Sequence, residues 1–581
     1  MPFAEKQPAT IARRRAMAGA LPLLRAPDFG SIPAVISRIV ADWGASLATP
    51  FSLDASIGSA IVAARVGGMF WRPAPVLQAG EFRVVVLPPD VKAARNLWLR
   101  VLARVPAERL LVLVSAAHPG LEALIRAAGC VVARTGDPHP VLDVAREIYV
   151  GAMGDLGVLG LLARRPVFRL YGEDFRREAE ADAVAWVTEG TAYADPYTGQ
   201  PARCEEAVEL LAEWRRIFAR NREIAVCAGM SLWKRRRVAQ LLTTGEAAPV
   251  FRRSARAATR KAASRGGAVA VWSTRVPKGL EAAASAQKIA VQRVEDGFIR
   301  SSGLGSDMLP PASIIVDKTG IYFDPSRPSD LETLLADTMF SDALRARAKR
   351  LVALLVARGI SKYAAGGGAP VLHARPGQRI ILVPGQVSDD LSVQLGAAGA
   401  VRGNAQLLAA VRRGNPDAFI VYRPHPDVDA GHRGGAIPDA TALQMADQVT
   451  RDGAMAALIG AVDEVHTMTS LAGFEALLRG RRVETYGQPF YAGWGLTADH
   501  APLARRQRRL CLEELAAAVL ILYPLYVDPA TGLPCGPEIL IARLEQAQFW
   551  RPSLLMRLRR LQGRLRRSWR NVSERKPISD A

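Results

Sequence analysis

Two distant stretches of this chain follow one plan. EIYVGAMGDLGVLGLLARRPVFRLYG, residues 147–172, is matched by EVHTMTSLAGFEALLRGRRVETYG, residues 464–487, at an offset of 316 for Val167 and Val483 and 315 for the closing glycines. Three further pairs keep the same order: RVVVLPP near Pro88 with RIILVPG near Pro384, LLVLVSAAHP ending at Pro119 with AFIVYRPHP ending at Pro426, and YADPYTGQP from Tyr193 with YVDPATGLP from Tyr526. A repeat of this kind constrains the fold more than any single motif, because both copies must form the same supersecondary unit. Each reads as strand, turn, helix, strand, with apolar strand runs such as IILV and AFIVY, so each is an α/β unit built on a largely parallel sheet.

The copies differ in their polar residues. Where the later one has DDLS, HTMTS and FEALL, the earlier has VKAA, YVGAM and GVLGLL, keeping apolar positions together with His118 and Pro119. A retained scaffold with a lost site is expected. At 581 residues the chain exceeds one hydrophobic core. The expected division is a degenerate partial module over 1–225, two Rossmann-like domains over 226–368 and 369–548, and a tail over 549–581. Small-residue runs at 262–267 and 364–368 suggest linkers.

The longest apolar run, residues 515–526, is too short to cross a bilayer, and no signal peptide is expected. Five scattered cysteines without a CxxC pair argue against a disulfide framework or zinc site and fit a reducing cytoplasm. The net charge of +21 calls for an anionic partner. The tail holds ten Lys or Arg against two acids, and Leu554, Leu558, Leu561, Leu565 and Trp569 recur at the helical period. A basic amphipathic helix on an anionic membrane surface is expected there, the alternative being a helix docked on the protein's own core. A second basic run, Trp233 to Arg237 with Arg252, Arg253, Arg256, Arg260 and Lys261, reads as a solvated face.

Polar residues cluster after the strand-like segments, where open α/β sheets bind ligands. Glu295 and Asp296 follow KIAVQRV, and adjacent acids can separate their pKa values so that one serves as a base. Asp389, Asp390 and Ser392 follow the strand ending near Pro384 and could present a nucleophile or base beside a hydroxyl. His425 with Arg423 suits a phosphate leaving group. Thr467, Thr469 and Ser470 precede an apolar helix, Ser470 being a good N-cap, and a helix start ringed by hydroxyls is a phosphate site. Glu475 lies early in that helix, where it can accept hydrogen bonds from ribose hydroxyls. Walker, GxGxxG and metal-spacing patterns are absent from the sequence, so a metal-free nucleotide-sugar enzyme is expected.

Together these motifs resemble the KpsC-type β-Kdo transferases of capsule biosynthesis. The resemblance rests on EDGFIRSSGLGSD from Glu295, SKY from Ser361, QVSDDLS from Gln386, PHPDV from Pro424, HTMTSLAGFEALL from His466 and QPFYAGWGLT from Gln488, over roughly residues 227–545. It implies a GT-B-like pair of Rossmann-type domains moving Kdo from CMP-Kdo, with retention, onto a lysophosphatidylglycerol or Kdo-bearing lipid acceptor. It implies Asp390 as nucleophile or base, His425 at the CMP phosphate and Asp296 on the acceptor side. Thr469 and Ser470 would cradle the phosphate and Glu475 the ribose. Gln386, Ser392, Arg423 and His466 would complete the donor site, and Lys362 and Tyr363 the cleft. No cofactor beyond the CMP-Kdo substrate is implied.

The chain departs from the family at Ser273, where glycine usually follows the tryptophan, and at Ala364, where asparagine commonly follows SKY. The expected location is the cytoplasmic face of the inner membrane, with other capsule biosynthesis and export proteins as partners and no nucleic acid. The alternative from another class is a non-catalytic capsule assembly or export scaffold. A nucleic-acid binder, suggested by the charge alone, lacks interleaved basic and aromatic residues.

Overall fold

A computed structural model describes residues 21–29, 36–40, 56–115, 118–301, 309–361, 368–431 and 433–550. The chain divides into two compact units: Met1–Arg222 with Thr243–Ala248, and Glu223–Leu242 with Pro249–Ala581.

The first unit contains β1 (Ser37–Ile39), β2 (Phe82–Val86), β3 (Leu110–Val114), β4 (Val131–Arg134), β5 (Ala145–Val150), β6 (Val167–Tyr171), β7 (Asp174–Arg177), β8 (Thr191–Ala194) and β9 (Pro201–Ala202). Six of these form a sheet in the order β4-β3-β2-β5-β6-β7, parallel except for β7. The LLVLV run of β3 is buried at every position, as a strand covered on both faces requires. An antiparallel ribbon, β1-β8-β9, stands apart from it.

The second unit contains β10 (Ile224–Ala228), β11 (Val250–Arg252), β12 (Ala268–Trp272), β13 (Val291–Asp296), β14 (Ser313–Asp317), β15 (Ile380–Pro384), β16 (Phe419–Arg423), β17 (Gln448–Val449), β18 (Glu464–Thr467), β19 (Arg482–Thr485), β20 (Ala498–Asp499), β21 (Pro524–Val527) and β22 (Pro534–Cys535). They make two sheets. The first runs β11-β10-β12-β13-β14-β21-β22, its first four strands parallel; the second runs β17-β16-β15-β18-β19-β20 and is parallel throughout. After the second sheet the chain returns to the first through β21, which pairs antiparallel with β14.

The repeat is legible strand for strand. The order β4-β3-β2-β5-β6 in the first unit reproduces β17-β16-β15-β18-β19 in the second. YADPYTGQP and YVDPATGLP each fold as a hairpin, β8-β9 and β21-β22, with the aspartate capping backbone N–H groups of its own turn.

Two expectations change. The run 262–267 is not a linker: it is the end of the helix Ala255–Arg265, closed by Gly266 at φ 64°, before β12 begins. VKAA does not stand in for DDLS either. It opens the helix Val91–Leu102, which follows β2 as the helix Asn404–Gly414 follows β15, so the loop carrying Asp389 and Asp390 has no counterpart in the first unit.

Among the described residues no helix is long and apolar enough to cross a membrane. The apolar run at 515–526 is divided among the helix Leu512–Ala516, the π-helical turn Ala517–Leu522 and β21. The amphipathic tail beyond Trp550, Lys362 and Tyr363, the run 364–367 and the 302–307 part of the EDGF motif lie outside the described residues.

Candidate active site

The second sheet of the second unit ends in polar loops at three neighbouring strands, β16, β15 and β18. Gly385 lets two of these ends close up: a Cβ there would lie 2.9 Å from the Tyr422 hydroxyl and 3.1 Å from the Arg423 carbonyl oxygen. Past β15 the chain reaches Gln386, which is buried and uses both ends of its amide. Its oxygen accepts from the Thr467 hydroxyl and the Thr469 N–H, both at 3.1 Å, and its nitrogen donates to the Thr469 hydroxyl at 2.9 Å. Gln386 therefore staples the end of β15 to the hydroxyl-rich loop after β18.

That loop enters the helix Leu471–Leu478. The Ser470 side chain accepts from the Ala472 N–H at 3.2 Å as N-cap, while the Ser470 N–H donates to the Thr467 hydroxyl at 3.2 Å. Gly473 brings the helix against Tyr491, whose hydroxyl donates to the Ser470 carbonyl at 2.5 Å; a Cβ at Gly473 would stand 2.3 Å from that hydroxyl. The result is a helix N-terminus fixed in direction and lined with hydroxyls, the arrangement that receives a phosphate. Glu475, nearly buried, lies in the second turn of the same helix.

Asp390 is the N-cap of the short helix Leu391–Gly396. Its Oδ1 accepts from both the N–H and the hydroxyl of Ser392, at 2.9 and 2.7 Å. Among the described residues Oδ2 has no hydrogen-bond partner, so one carboxylate oxygen is anchored and the other presented. Asp389, beside it, is paired with Arg433 at 3.0 Å, which holds its carboxyl below the usual range.

His425 follows β16. Its Nδ1 accepts from the Asp427 N–H at 3.1 Å, which leaves the proton of the neutral ring on Nε2, and Nε2 has no partner among the described residues. Burial pushes this imidazole below its ordinary pKa, opposed by the carboxylates of Asp427 and Asp390. It is therefore a neutral donor near Asp390.

Two candidate donor-site residues point elsewhere. Arg423 donates to the carbonyls of Asp452 and Gly453, tethering that loop. His466 is fully buried, with Nε2 3.0 Å from Glu464 and Nδ1 3.8 Å from Glu484. Strand alternation puts Glu464 and His466 on one face of β18, whereas Thr467 opens toward Gln386. Glu464, His466 and Glu484 stand close enough to share a cation. Arg379 and Arg482 already hold the two carboxylates, at 3.1 and 2.9 Å, so the group is assembled as an ion-pair network.

The other sheet of this unit contributes Asp296 at the end of β13. Arg300, wholly buried, donates to it at 2.8 Å, and Lys234 at 3.4 Å. Lys234 also lies 3.4 Å over the Trp272 ring at the end of β12. The basic run 233–237 is thus more than a solvated face: Lys234, Val238 and Leu241 share the buried stripe of the helix Leu232–Leu241, and that spacing is the sequence signal that identifies Lys234. Phe298 of the EDGF motif packs 4.9 Å from Phe490 and 6.3 Å from Phe474, joining the Asp296 loop to the Ser470 helix.

The corresponding positions of the first unit are closed. The helix Asp155–Leu162 is eight residues long, as is Leu471–Leu478, but Gly154 stands in place of Ser470 and buried Leu159 in place of Glu475. Asp155 at its start is held by Arg25 through two hydrogen bonds, 2.6 and 2.7 Å, so the protein's own carboxylate sits at the helix N-terminus. His118, the counterpart of His425, is buried with Nε2 2.9 Å from the Pro88 carbonyl oxygen and Nδ1 3.3 Å from Ser115.

Paired Rossmann-type sheets, with a phosphate-type helix start and acidic and imidazole groups at the strand ends, define a GT-B-like α/β protein. The family model described as "Capsule polysaccharide biosynthesis protein" matches residues 267–526. The capsule polysaccharide modification protein LipA of Neisseria meningitidis serogroup A is 41% identical over 349 residues, covering 60% of this chain and 49% of LipA. This chain thus spans about half the length of that curated relative. Two solved structures of Thermosulfurimonas dismutans KpsC are similar. The beta Kdo 2,7 transferase is 34% identical, covering 56% of this chain and 100% of that one, with a TM-score of 0.45. The beta Kdo 2,4 transferase is 33% identical, covering 55% and 98%, with a TM-score of 0.48. The chain belongs to the KpsC-type family of capsule polysaccharide biosynthesis proteins.

Proposed function

We propose that the second unit transfers Kdo from CMP-Kdo, with retention, to a lysophosphatidylglycerol or Kdo-bearing lipid acceptor in capsule linker synthesis, at the cytoplasmic face of the inner membrane. The observation that carries this reading is the grouping of Asp390, His425 and Ser470 at the ends of neighbouring strands, with Asp390 offering one free oxygen. Its relatives' names supply the sugar and the capsule context.

The chemistry follows from these groups. Thr469, Ser470 and the helix N-terminus bind the CMP phosphate, and the His425 Nε2–H donates to a phosphate oxygen as the sugar's bond to phosphate breaks and the electron pair leaves with CMP. Asp390 Oδ2 attacks the anomeric carbon from the opposite face, giving a glycosyl ester and the first inversion. The acceptor hydroxyl then displaces the aspartate, its proton passing to a carboxylate, for which Asp296 is the candidate; the second inversion restores the configuration.

With its first unit closed, the chain forms one linkage type. Incubation of the purified protein with CMP-Kdo and acceptors ending in one Kdo tests this. Addition of one linkage, lost in Asp390→Asn, is expected. An alternating polymer would refute the single-site reading, and absence of all donor turnover in the folded protein would favour the scaffold.

A further inference from the structure

One cationic surface of the second unit lies on the sheet that does not carry the donor loops. Between Glu246 and Glu281 the sequence has no acidic residue, while Arg252, Arg253, Arg256, Arg260, Lys261 and Arg265 follow one another along β11 and the helix Ala255–Arg265. None of the six joins an ion pair with another described residue, whereas Arg293, Arg347, Arg412, Arg505 and Arg543 of the same unit each do. Four of them, Arg253, Arg256, Arg260 and Arg265, are exposed.

Arginines on β11 have one local purpose, since β11 is the edge of its sheet and charge there deters strand pairing. That purpose does not extend to Arg260 and Lys261, which lie on the helix. With Arg252, Ala257 and Ser264 they line a cavity of about 230 Å³. Three cations converging on one concave surface, with no carboxylate to neutralise them, form a seat for phosphate oxygens.

The surroundings identify the source of the phosphate. Leu232 is 66% exposed at the start of the helix Leu232–Leu241. One turn later Arg235 lies over the Phe251 ring of β11, 5.4 Å from its centre, which places this helix beside the cationic surface. An apolar side chain held in water next to unpaired arginines matches a bilayer interface, where leucine enters the acyl boundary and arginine meets headgroups. A soluble phosphate gives Leu232 nothing to bury against.

Register ties the surface to the chemistry. Arg252 pairs with Ala228, and Ala228 with Val271, so Arg252 lies at the carboxyl-end rim of the sheet that also carries Asp296. Three strand spacings, roughly 14 Å, separate β11 from β13.

We propose that Arg252, Arg260 and Lys261, with Arg256 and Leu232 beside them, form a docking surface for the phosphodiester headgroups of an anionic bilayer. It would hold the Asp296 side of the cleft at the height of a membrane-borne acceptor. This deepens the acceptor side of the transfer reading and rests on it only for the acceptor's identity.

The test is partition of the full chain onto vesicles of phosphatidylcholine alone and of phosphatidylcholine with phosphatidylglycerol. The wild type is expected to bind the anionic vesicles selectively. Combined Arg256→Glu, Arg260→Glu and Lys261→Glu is expected to weaken that binding about a hundredfold, and Leu232→Ser about tenfold at unchanged charge. Arg256, Arg260 and Leu232 are exposed and Lys261 is half-buried at the cavity wall, and unchanged melting and unchanged CMP release in the same samples show that fold and donor chemistry persist. Wild-type partition by the triple variant overturns the proposal, the tail then carrying adhesion alone. Release of the wild type from vesicles by inorganic phosphate, at an ionic strength where chloride has no effect, overturns it in favour of a soluble-phosphate site.

Discussion

The Ser392 hydroxyl donates to Oδ1 of Asp390 at 2.7 Å, and the Ser392 N–H reaches the same oxygen at 2.9 Å. This double hold fixes the direction of Oδ2. Asp390→Asn preserves the cap and removes the nucleophile, so kcat is expected to fall at least about a thousandfold with the melting temperature unchanged. Ser392→Ala keeps the carboxylate but frees it to rotate. It is expected to lower kcat about tenfold or more, with little change in the KM for CMP-Kdo. Steady-state kinetics of CMP release separates the two.

Gln386 makes its three side-chain hydrogen bonds to one loop while its backbone N–H donates to Asn404 at 2.9 Å. Its replacement by leucine leaves the Thr469 N–H and the Thr467 hydroxyl without their acceptor in a buried setting. The expected cost is about 2 kcal/mol of stability, read from a denaturant midpoint. A rise in donor KM larger than the fall in kcat is expected too, because the staple positions the phosphate loop and touches no reacting atom.

Lys234 has an ammonium seated between the Asp296 carboxylate and the Trp272 face. Lys234→Met keeps the length of the side chain and the apolar contact with Trp272 but removes the charge. Asp296 then retains Arg300 alone, and its carboxylate is free to swing on one hydrogen bond. Transfer to acceptor is expected to drop about tenfold, while acceptor-independent hydrolysis of CMP-Kdo stays within about twofold of the wild type. Equal losses in both reactions would place Lys234 on the donor side.

What the sequence revealed and concealed follows from strand and helix geometry. The repeat fixed the common order of β2 to β6 and β15 to β19, because apolar strand runs survive wherever a parallel sheet must be buried on both faces. Asp390, His425, Thr469 and Ser470 were legible as a group because a strand's carboxyl end is where its side chains leave the core, whereas Gln386 came only from the family resemblance. Direction was harder to read. His466 is one residue from Thr467, and on a strand one residue reverses the face, so it joins Glu464 and Glu484 instead of the phosphate loop. Arg423 is long enough to reach carbonyls that only the folded chain brings near. The fate of DDLS in the first unit was illegible for another reason: matching residue by residue conceals a deleted loop, which becomes visible once the flanking helices are aligned.

The first unit carries its own acid sensitivity. His139 is buried, its Nε2 has no hydrogen-bond partner, and desolvation lowers its pKa to about 4, against the opposing carboxylate of Asp137. In the unfolded chain an ordinary histidine takes up its proton near pH 6.5. Between these values the unfolded chain binds more protons than the native one, so stability falls as pH falls from about 6.5 toward 4 and changes little, on this account, above 6.5. The full effect is of order 3 kcal/mol. His139→Gln has no proton to gain and is expected to flatten that part of the stability curve, even if the substitution lowers stability at neutral pH. Urea midpoints measured at intervals from pH 7.5 to pH 4.5, for wild type and variant, read the difference in slope directly, and parallel curves would assign the acid sensitivity to other groups.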